Sequence, residues 1–369
     1  MPLRILMLNW RDMRHPEAGG AEKYLTMVAS GLSARGHTVT VRTAAYPGSP
    51  AEETIDGVHY LRSGGRFDIY PRAIGAQFLR RHRPDVVVDV QNGVPYLSPL
   101  VQQAPVINLV HHVHREQWPV ALGPALSRVG WWLESQVAPR VYRSSTYVTV
   151  SDATRRELID LGIDSDRIQV IHNGTERVAL EGAHRSGHPS LVVLGRLVPQ
   201  KRVEFAIEAV AALHTEMPGL TLDVVGSGFW GSRLKALAST LGVADRVFFH
   251  GHVSESEKHH LLARSWVHVL PSLKEGWGLV VVEAGIHGTP TIAFTEAGGP
   301  TDSIVDGHTG MLVDGGLPEF VAAAHRLLTD APMRTRMSGA ATTWVRQFTW
   351  DETVRRWEEL LTHVARGQE

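Results

Sequence analysis

The sequence predicts an α/β chain of two doubly wound, Rossmann-like parallel sheets. Three observations carry this. Short β-branched runs recur with helical stretches between them, several of these runs are apolar almost throughout, and the rhythm breaks once near the middle and starts again. Strands apolar along their whole length are those covered on both faces, as in parallel sheets. The 369 residues fit two domains of ordinary size.

The first run, from Leu3 to Asn9, is too short for the apolar region of an export signal and has no small-residue cleavage site, so it reads as a strand. Further strands are expected near 38–44, 58–62, 85–90, 105–110, 146–150 and 168–171, with amphipathic helices over 21–35, 72–83 and 152–161. Residues 177–190, rich in His, Gly, Ser and Glu and closing on Pro189, read as a linker. The second set of strands follows at 191–195, 220–226, 247–251, 267–271, 291–294 and 311–313. After Phe348, Trp350, Val354, Trp357 and Leu360 or Leu361 recur at near-helical spacing, which predicts a helix packing back onto the first domain. The expected domains are therefore 1–180 and 181–347, with 348–369 as that closing helix.

Composition narrows the function. With 37 basic and 38 acidic residues the formal charge is −1, so no general basic field draws the chain onto nucleic acid. A hydrophobic content of 43% with no apolar run near the ~20 residues of a spanning helix predicts a globular, soluble protein, and the want of cysteine and of an export signal makes a reducing cytoplasm its expected home. The absence of cysteine excludes a disulfide scaffold.

The sharpest motif runs from Pro271 to Gly285: a strand end, the turn Gly276-Trp277-Gly278, and a helix, with Glu275 and Glu283 eight positions apart. If Gly278 opens the helix, Glu283 lies more than one turn inside it, so the two carboxylates address different parts of one extended ligand. The N–H groups of Leu279 and Val280 at the positive end of the helix suit a diphosphate. Alternatively the segment is a Gly-rich turn capping a core helix. A second cluster, Gly195 to Arg202, places Arg196 and Lys201 just past a strand end, where two cations suit phosphate oxygens; a solvated basic loop is the competing reading.

In the first half, Gly19-Gly20 open a helix, and His111, His112 and His114 follow an apolar strand. Successive side chains on an extended segment diverge, which argues against a three-histidine metal site. Asn173-Gly174 end the last strand of this half as a turn or a ligand contact. Gly226-Ser227-Gly228 imitates a dinucleotide fingerprint, but the following strand lacks the acidic residue that grips ribose in that motif, so Gly226 is read as close packing beside a ligand.

In their order along the chain these segments resemble the retaining, nucleotide-sugar-dependent glycosyltransferases of family 4. These have the GT-B fold, two Rossmann-like domains facing across a cleft, and the resemblance covers nearly the whole chain. Gly298-Gly299-Pro300 and Gly310 add to it. It implies that Arg196 and Lys201 grip the donor diphosphate and that Glu283 bonds the ribose. It further implies that Glu275, with the backbone of Gly276, Trp277 and Gly278, holds the sugar, and that His252 and Val253 meet the base. Gly19 and Gly20 are expected to flank phosphate and acceptor, and His111 to line the reaction centre. His111, Arg196, Lys201 and Glu275 form the expected catalytic set. The chain departs from the common pattern at Trp277, where phenylalanine is usual and the larger ring would make a bulkier wall for the sugar pocket. It departs again at His112, where aspartate is usual; that leaves His111 and His112 both in view, with His111 favoured by position.

The implied reaction is a metal-independent, front-face transfer of a hexose from a nucleoside diphosphate sugar to a glycan, lipid-linked or small-molecule hydroxyl. The departing phosphate takes the acceptor proton, and no cofactor is needed beyond the co-substrate. Same-fold alternatives are a sugar-nucleotide epimerase or a sugar phosphorylase, and a noncatalytic nucleotide-sugar binder is a third. Residues 123–145 combine Leu126, Val129, Trp131 and Trp132 with Arg128, Arg140 and Arg143. They read either as a core helix or as one that touches the inner face of a membrane, with Pro139 interrupting the surface.

Overall fold

The computed structural model describes residues 1–65, 68–78, 83–121, 123–176, 178, 180 and 184–367. The chain divides into two compact units, Met1–Gly174 with Thr349–Glu369, and Thr175–Phe348. The division falls ahead of the expected boundary at 180, and residues 177, 179 and 181–183 of the expected linker lie outside the described residues.

The first unit is built on β1 (Arg4–Leu8), β2 (Thr38–Thr43), β3 (Glu52–Ile55), β4 (Val58–Arg62), β5 (Val86–Gln91), β6 (Val106–Val110), β7 (Thr146–Thr149) and β8 (Ile168–Val170). These form one eight-stranded sheet in the order β3-β4-β2-β1-β5-β6-β7-β8. All pairings are parallel except β3 with β4. Central β5 and β6 are buried at every position, which is why they read as unbroken apolar runs. Edge strand β3 was not expected, because Glu52-Glu53-Thr54-Ile55 is polar and half-exposed. Its signal is the turn that follows: Asp56 and Gly57 both have positive φ (49° and 76°), the backbone of a two-residue hairpin. The helix expected at 72–83 begins earlier, at Ile69–Phe78, and residues 79–82 lie outside the described residues.

Helix Trp350–Arg366 closes this unit from the far end of the chain. Its buried stripe of Trp350, Val354, Trp357 and Leu361 lies against helix Gly20–Ala34. Leu361 rather than Leu360 takes the inward position. A Cβ on Gly31 would stand 2.4 Å from Val354 Cγ2, so the absence of a side chain there sets how closely the two helices approach. The Trp357 indole donates to the Tyr24 hydroxyl at 2.7 Å, and that hydroxyl donates to the Ile171 carbonyl at 3.0 Å. Arg35 completes the seam on Glu358 at 2.8 Å and on Asp351 at 2.6 Å.

The second unit carries β9 (Ser190–Leu194), β10 (Thr221–Val225), β11 (Val247–Gly251), β12 (Val267–Leu270), β13 (Thr291–Phe294) and β14 (Gly310–Val313). They form an all-parallel sheet in the order β11-β10-β9-β12-β13-β14. The order reverses beside the first strand of each unit, between β1 and β5 and between β9 and β12. In open parallel sheets, ligands bind outside the carboxyl ends of the strands at such reversals. The loops after β9 and β12 are therefore the place to look in the second unit, and those after β1, β5 and β6 in the first. The Arg185 guanidinium anchors the chain to the second unit, donating to the carbonyls of Ser265, His287 and Gly288 and to the Thr289 hydroxyl.

Replacing Trp357 with alanine removes both the buried ring and the bond to Tyr24. Urea unfolding followed by circular dichroism should show a loss of about 3–5 kcal/mol, the usual cost of such a truncation.

Candidate active site

In the second unit, the loop after β9 and the loop after β12 meet at the reversal of strand order. Lys201 Nζ pairs with Glu275 Oε1 at 2.5 Å, and the lysine stem runs over Gly195, where a Cβ would lie 3.7 Å from Cε. Leu273 N–H donates to the Gln200 carbonyl at 2.8 Å, joining the same two loops through the backbone. Arg202, which the sequence reading left without a role, clamps them further. Its guanidinium donates to the carbonyls of Pro271 (2.7 Å) and Ser272 (3.3 Å) and sits 4.5 Å from the Phe294 ring centroid. Arg196 is exposed at the edge of this arrangement.

Gly278 does open the helix: it has φ +83° at the N-cap of Leu279–Ile286, a conformation that favours glycine. The Val281 N–H turns back to the Gly278 carbonyl at 2.8 Å, while those of Leu279 and Val280 belong to the first turn, which has no intrahelical acceptor. The preceding turn is pinned from β13. Glu275 N–H donates to the Ala297 carbonyl at 2.9 Å, Gly299 N–H donates to the Glu275 carbonyl at 3.1 Å, and a Cβ on Gly299 would stand 2.5 Å from the Gly276 carbonyl. The Trp277 side chain does not form the wall that its size implied. It is 2% exposed and packs edge-on against Phe348 at 5.0 Å, so only its backbone faces the turn.

Glu283 is buried inside the helix and pairs with Lys258 Nζ at 2.9 Å. The two glutamates thus have separate cationic partners. Lys258 carried no obvious motif. It lies in helix Glu255–Arg264, just beyond His252, which is exposed, and Val253, which is half-buried.

Gly226 and Gly228 explain the false fingerprint. A Cβ on Gly226 would stand 2.0 Å from the Gly195 carbonyl oxygen, and one on Gly228 would stand 2.2 Å from that of Leu197. These glycines let the loop after β10 pack backbone to backbone on the loop after β9. Gly226 N–H donates to Gly251 at 2.7 Å, extending the contact to the end of β11.

In the first unit, the turn before helix Gly20–Ala34 is held by the buried Glu22. Its carboxylate accepts from the Gly19 N–H at 2.7 Å and from Arg11 at 2.8 Å. Gly20 is exposed, with open space where its side chain would be. Glutamate three residues after a cap is a recognisable capping signal that the sequence reading passed over. Of the three histidines, His111 turns away from the other two. His112 and His114 stack at 4.3 Å, with His114 on Glu134 at 3.1 Å, whereas His111 is buried edge-on to Tyr24 at 5.3 Å with no hydrogen-bond partner on Nε2. Burial, reinforced by His114, lowers the His111 pKa to about 4. Asn173 is buried as well, and its Oδ1 has no partner. Glu134 lies in a π-turn, Leu133–Val137, where the Ala138 N–H reaches back to the Leu133 carbonyl. That wider turn carries the helical path past Pro139, which has no N–H to donate.

Two α/β units, with a glycine-opened helix and two separately paired glutamates in the loops of the second, are the features on which the comparison with known proteins bears. Comparison with known proteins names the class. Residues 18–179 match the model of Glycosyltransferase Family 4, and residues 179–344 match that of Glycosyl transferases group 1. A D-inositol 3-phosphate glycosyltransferase of Acidothermus cellulolyticus is 31% identical, with 92% of this chain and 84% of that protein covered. A GDP-mannose-dependent alpha-(1-6)-phosphatidylinositol monomannoside mannosyltransferase of Mycobacterium tuberculosis is 29% identical, with 94% and 95% covered. Sucrose-phosphate synthase from Thermosynechococcus elongatus superimposes with a TM-score of 0.86 at 21% identity, covering 98% and 99% of the two chains. The chain belongs to the family 4 glycosyltransferases of GT-B fold.

The histidine geometry sets a pH dependence. His111 titrates near 4 when folded and near 6.5 when unfolded, so the unfolded state binds the extra proton between these values. The contribution of His111 to stability is therefore fully present above pH 6.5 and is lost as pH drops toward 4. Replacing His111 with glutamine should remove about 3 kcal/mol of that acid sensitivity, measured as a shallower dependence of unfolding free energy on pH.

Proposed function

We propose that this glycosyltransferase moves a hexose from a nucleoside diphosphate sugar to an acceptor hydroxyl, with retention of anomeric configuration and without a metal ion. The observation that carries the reading is the Lys201–Glu275 pair beside the helix opened by Gly278. A diphosphate laid against the Leu279 and Val280 N–H groups meets the positive end of the helix, with Lys201 as a point charge and Arg196 as a planar fork. Together they stabilise the charge that develops on the leaving phosphate. Glu275, paired with Lys201, accepts hydrogen bonds from the sugar hydroxyls, and Glu283 does the same for the ribose. The acceptor hydroxyl attacks from the side of the leaving group and passes its proton to the departing phosphate oxygen. Within the first unit, His111 and Asn173 carry neutral polar atoms without a protein partner, which suit a hydroxyl-bearing ligand.

The donor base is read from thermal stabilisation by UDP, GDP, ADP and dTDP. A ligand at 100 times its dissociation constant adds about 2.7 kcal/mol to folding, so one base should stand clear of the others. No shift with any of them at millimolar concentration would sink the donor reading. Arg196→Ala and Lys201→Ala should each lower turnover by ~10² or more while the fold is kept, and near-normal turnover in both would remove the assignment.

A second reading concerns the acceptor. Leu126, Val129 and Trp132 stand 61%, 52% and 56% exposed along one side of helix Pro124–Trp132. Trp131 turns into the core instead. Arg128 on the same helix and Arg140 and Arg143 beyond it are exposed too, a composition that fits an anionic bilayer carrying a lipid-linked acceptor. The mannosyltransferase relative is named for a phosphatidylinositol acceptor. No helix among the described residues is long and apolar enough to cross a membrane, so the contact is peripheral. Co-sedimentation with phosphatidylglycerol vesicles should be lost in Leu126→Ser/Trp132→Ser. Equal recovery of parent and variant, or none of the parent, would end the reading.

A further inference from the structure

We infer that Lys258 is the positioning residue that makes the nucleoside site specific for ribose, acting through Glu283; this deepens the donor reading and rests on it. Lys258 is 7% exposed in helix Glu255–Arg264, and its ammonium lies 2.9 Å from Glu283 Oε1 and 2.6 Å from Glu255 Oε2. Glu283 is itself 5% exposed. A carboxylate so far out of water needs a compensating charge, or its burial is strongly unfavourable. Two histidines also act on Glu283. His268, buried on β12, donates or accepts at Thr291 Oγ1 through Nδ1 at 3.0 Å, and burial lowers its pKa to about 3 against the pull of Glu283. His287 meets His259 at 2.8 Å, and burial, with His259 and Arg185 adding to it, lowers its pKa to about 4. Both are neutral at neutral pH, so of these three groups Lys258 is the cation.

Its placement gives the pair a second role. Lys258 follows His252 and Val253, the segment assigned to the base, and ends on the carboxylate assigned to the ribose. The helix that carries this ammonium thus starts beside the segment assigned to the base, while the ammonium itself ends on the carboxylate assigned to the ribose. Held on Oε1 by Lys258, the Glu283 carboxylate is kept charged and oriented, the state in which it accepts from a ribose hydroxyl. A hydrogen bond to a charged acceptor that is already oriented discriminates strongly against a ligand that lacks the hydroxyl.

The test is calorimetric titration of UDP, GDP and ADP, each with its 2′-deoxy and 3′-deoxy form, against the parent protein, Lys258→Met and Lys258→Arg. The parent should prefer a ribonucleotide to one or both deoxy forms by about tenfold or more. In Lys258→Met the ribonucleotide should bind about as weakly as its deoxy form, with KM for the donor raised more than kcat is lowered, and Lys258→Arg should recover most of the preference. Unchanged discrimination in a folded Lys258→Met overturns the inference while leaving the donor reading intact. Failure of the parent to bind any of the three diphosphates overturns the donor reading and this inference with it. Because Lys258→Met strands a buried carboxylate, Lys258→Met/Glu283→Gln is measured beside Glu283→Gln. Equal affinities in the two support action through Glu283, and a further loss in the double variant overturns it.

Discussion

A Cβ on Gly226 would stand 2.0 Å from the Gly195 carbonyl, one on Gly228 2.2 Å from that of Leu197, and one on Gly299 2.5 Å from that of Gly276. This direct packing of backbone on backbone is the constraint on which the second unit's chemistry depends. Parallel strands deliver all their carboxyl ends to one edge of the sheet, but that alone would leave six independent loops. The glycines fuse the loops after β9 and β10 in one place and those after β12 and β13 in another, and Arg202 and the Leu273 N–H join the two sets. Lys201, Glu275 and the opening of the helix at Gly278 are then fixed relative to one another by contacts too short to slide. Preorganisation of this kind is what lets fixed charges stabilise a developing one without a reorganisation cost during reaction.

Charges in the two units obey a common rule, since those that are buried at the loops are paired. Arg11 meets Glu22, Arg62 meets Asp12 at 2.6 Å, and Lys258 meets Glu283. Such pairs add little net stability, because desolvation offsets much of their attraction, but removing one partner is costly. Their value lies in geometry. Arg62 and Asp12 hold the loop after β1 against β4, and Arg11 with Glu22 holds the Gly19 turn, beside which Gly20 stays exposed. Lys201 and Glu275, at 24% and 13% side-chain exposure, are the half-open version. Lys201 is thereby a cation that has already lost much of its water.

Legibility in the sequence followed burial. The central strands were read within a residue or two because covered parallel strands are apolar throughout, and helix Trp350–Arg366 because its stripe is wide and aromatic. Edge strand β3 was hidden because its faces are polar, although its Asp56-Gly57 turn was in plain view. In the site, glycines and motif glutamates could be placed because their spacing reports backbone geometry. Lys258, Arg202 and Arg11 could not be, because each works by reaching a partner 25, 69 or 11 positions away. No local period records such a reach. Trp277 was misread for the opposite reason: position in a motif fixes where its backbone runs, but not which way a large ring turns when Phe348 offers it a core.

His111 separates two ways of handling the acceptor proton. An imidazole with a pKa near 4 is neutral at physiological pH and a weak base, since general bases work best when their pKa lies near the operating pH. It is nonetheless buried with Nε2 unpartnered, close to Tyr24, and Asn173 in the same unit holds a second unpartnered buried atom. Leaving polar atoms in this state costs about 1–3 kcal/mol each, a cost that a hydroxyl-bearing ligand relieves by supplying the missing bond. Both atoms are therefore suited to orienting a neutral sugar and poorly suited to removing a proton. Glu275 is engaged by Lys201, and Glu283 by Lys258. Each unit taken by itself thus lacks a ready base among these groups, a weakly basic histidine in the first and two cation-bound glutamates in the second, which is the chemical ground on which the proposed transfer gives the acceptor proton to the departing phosphate.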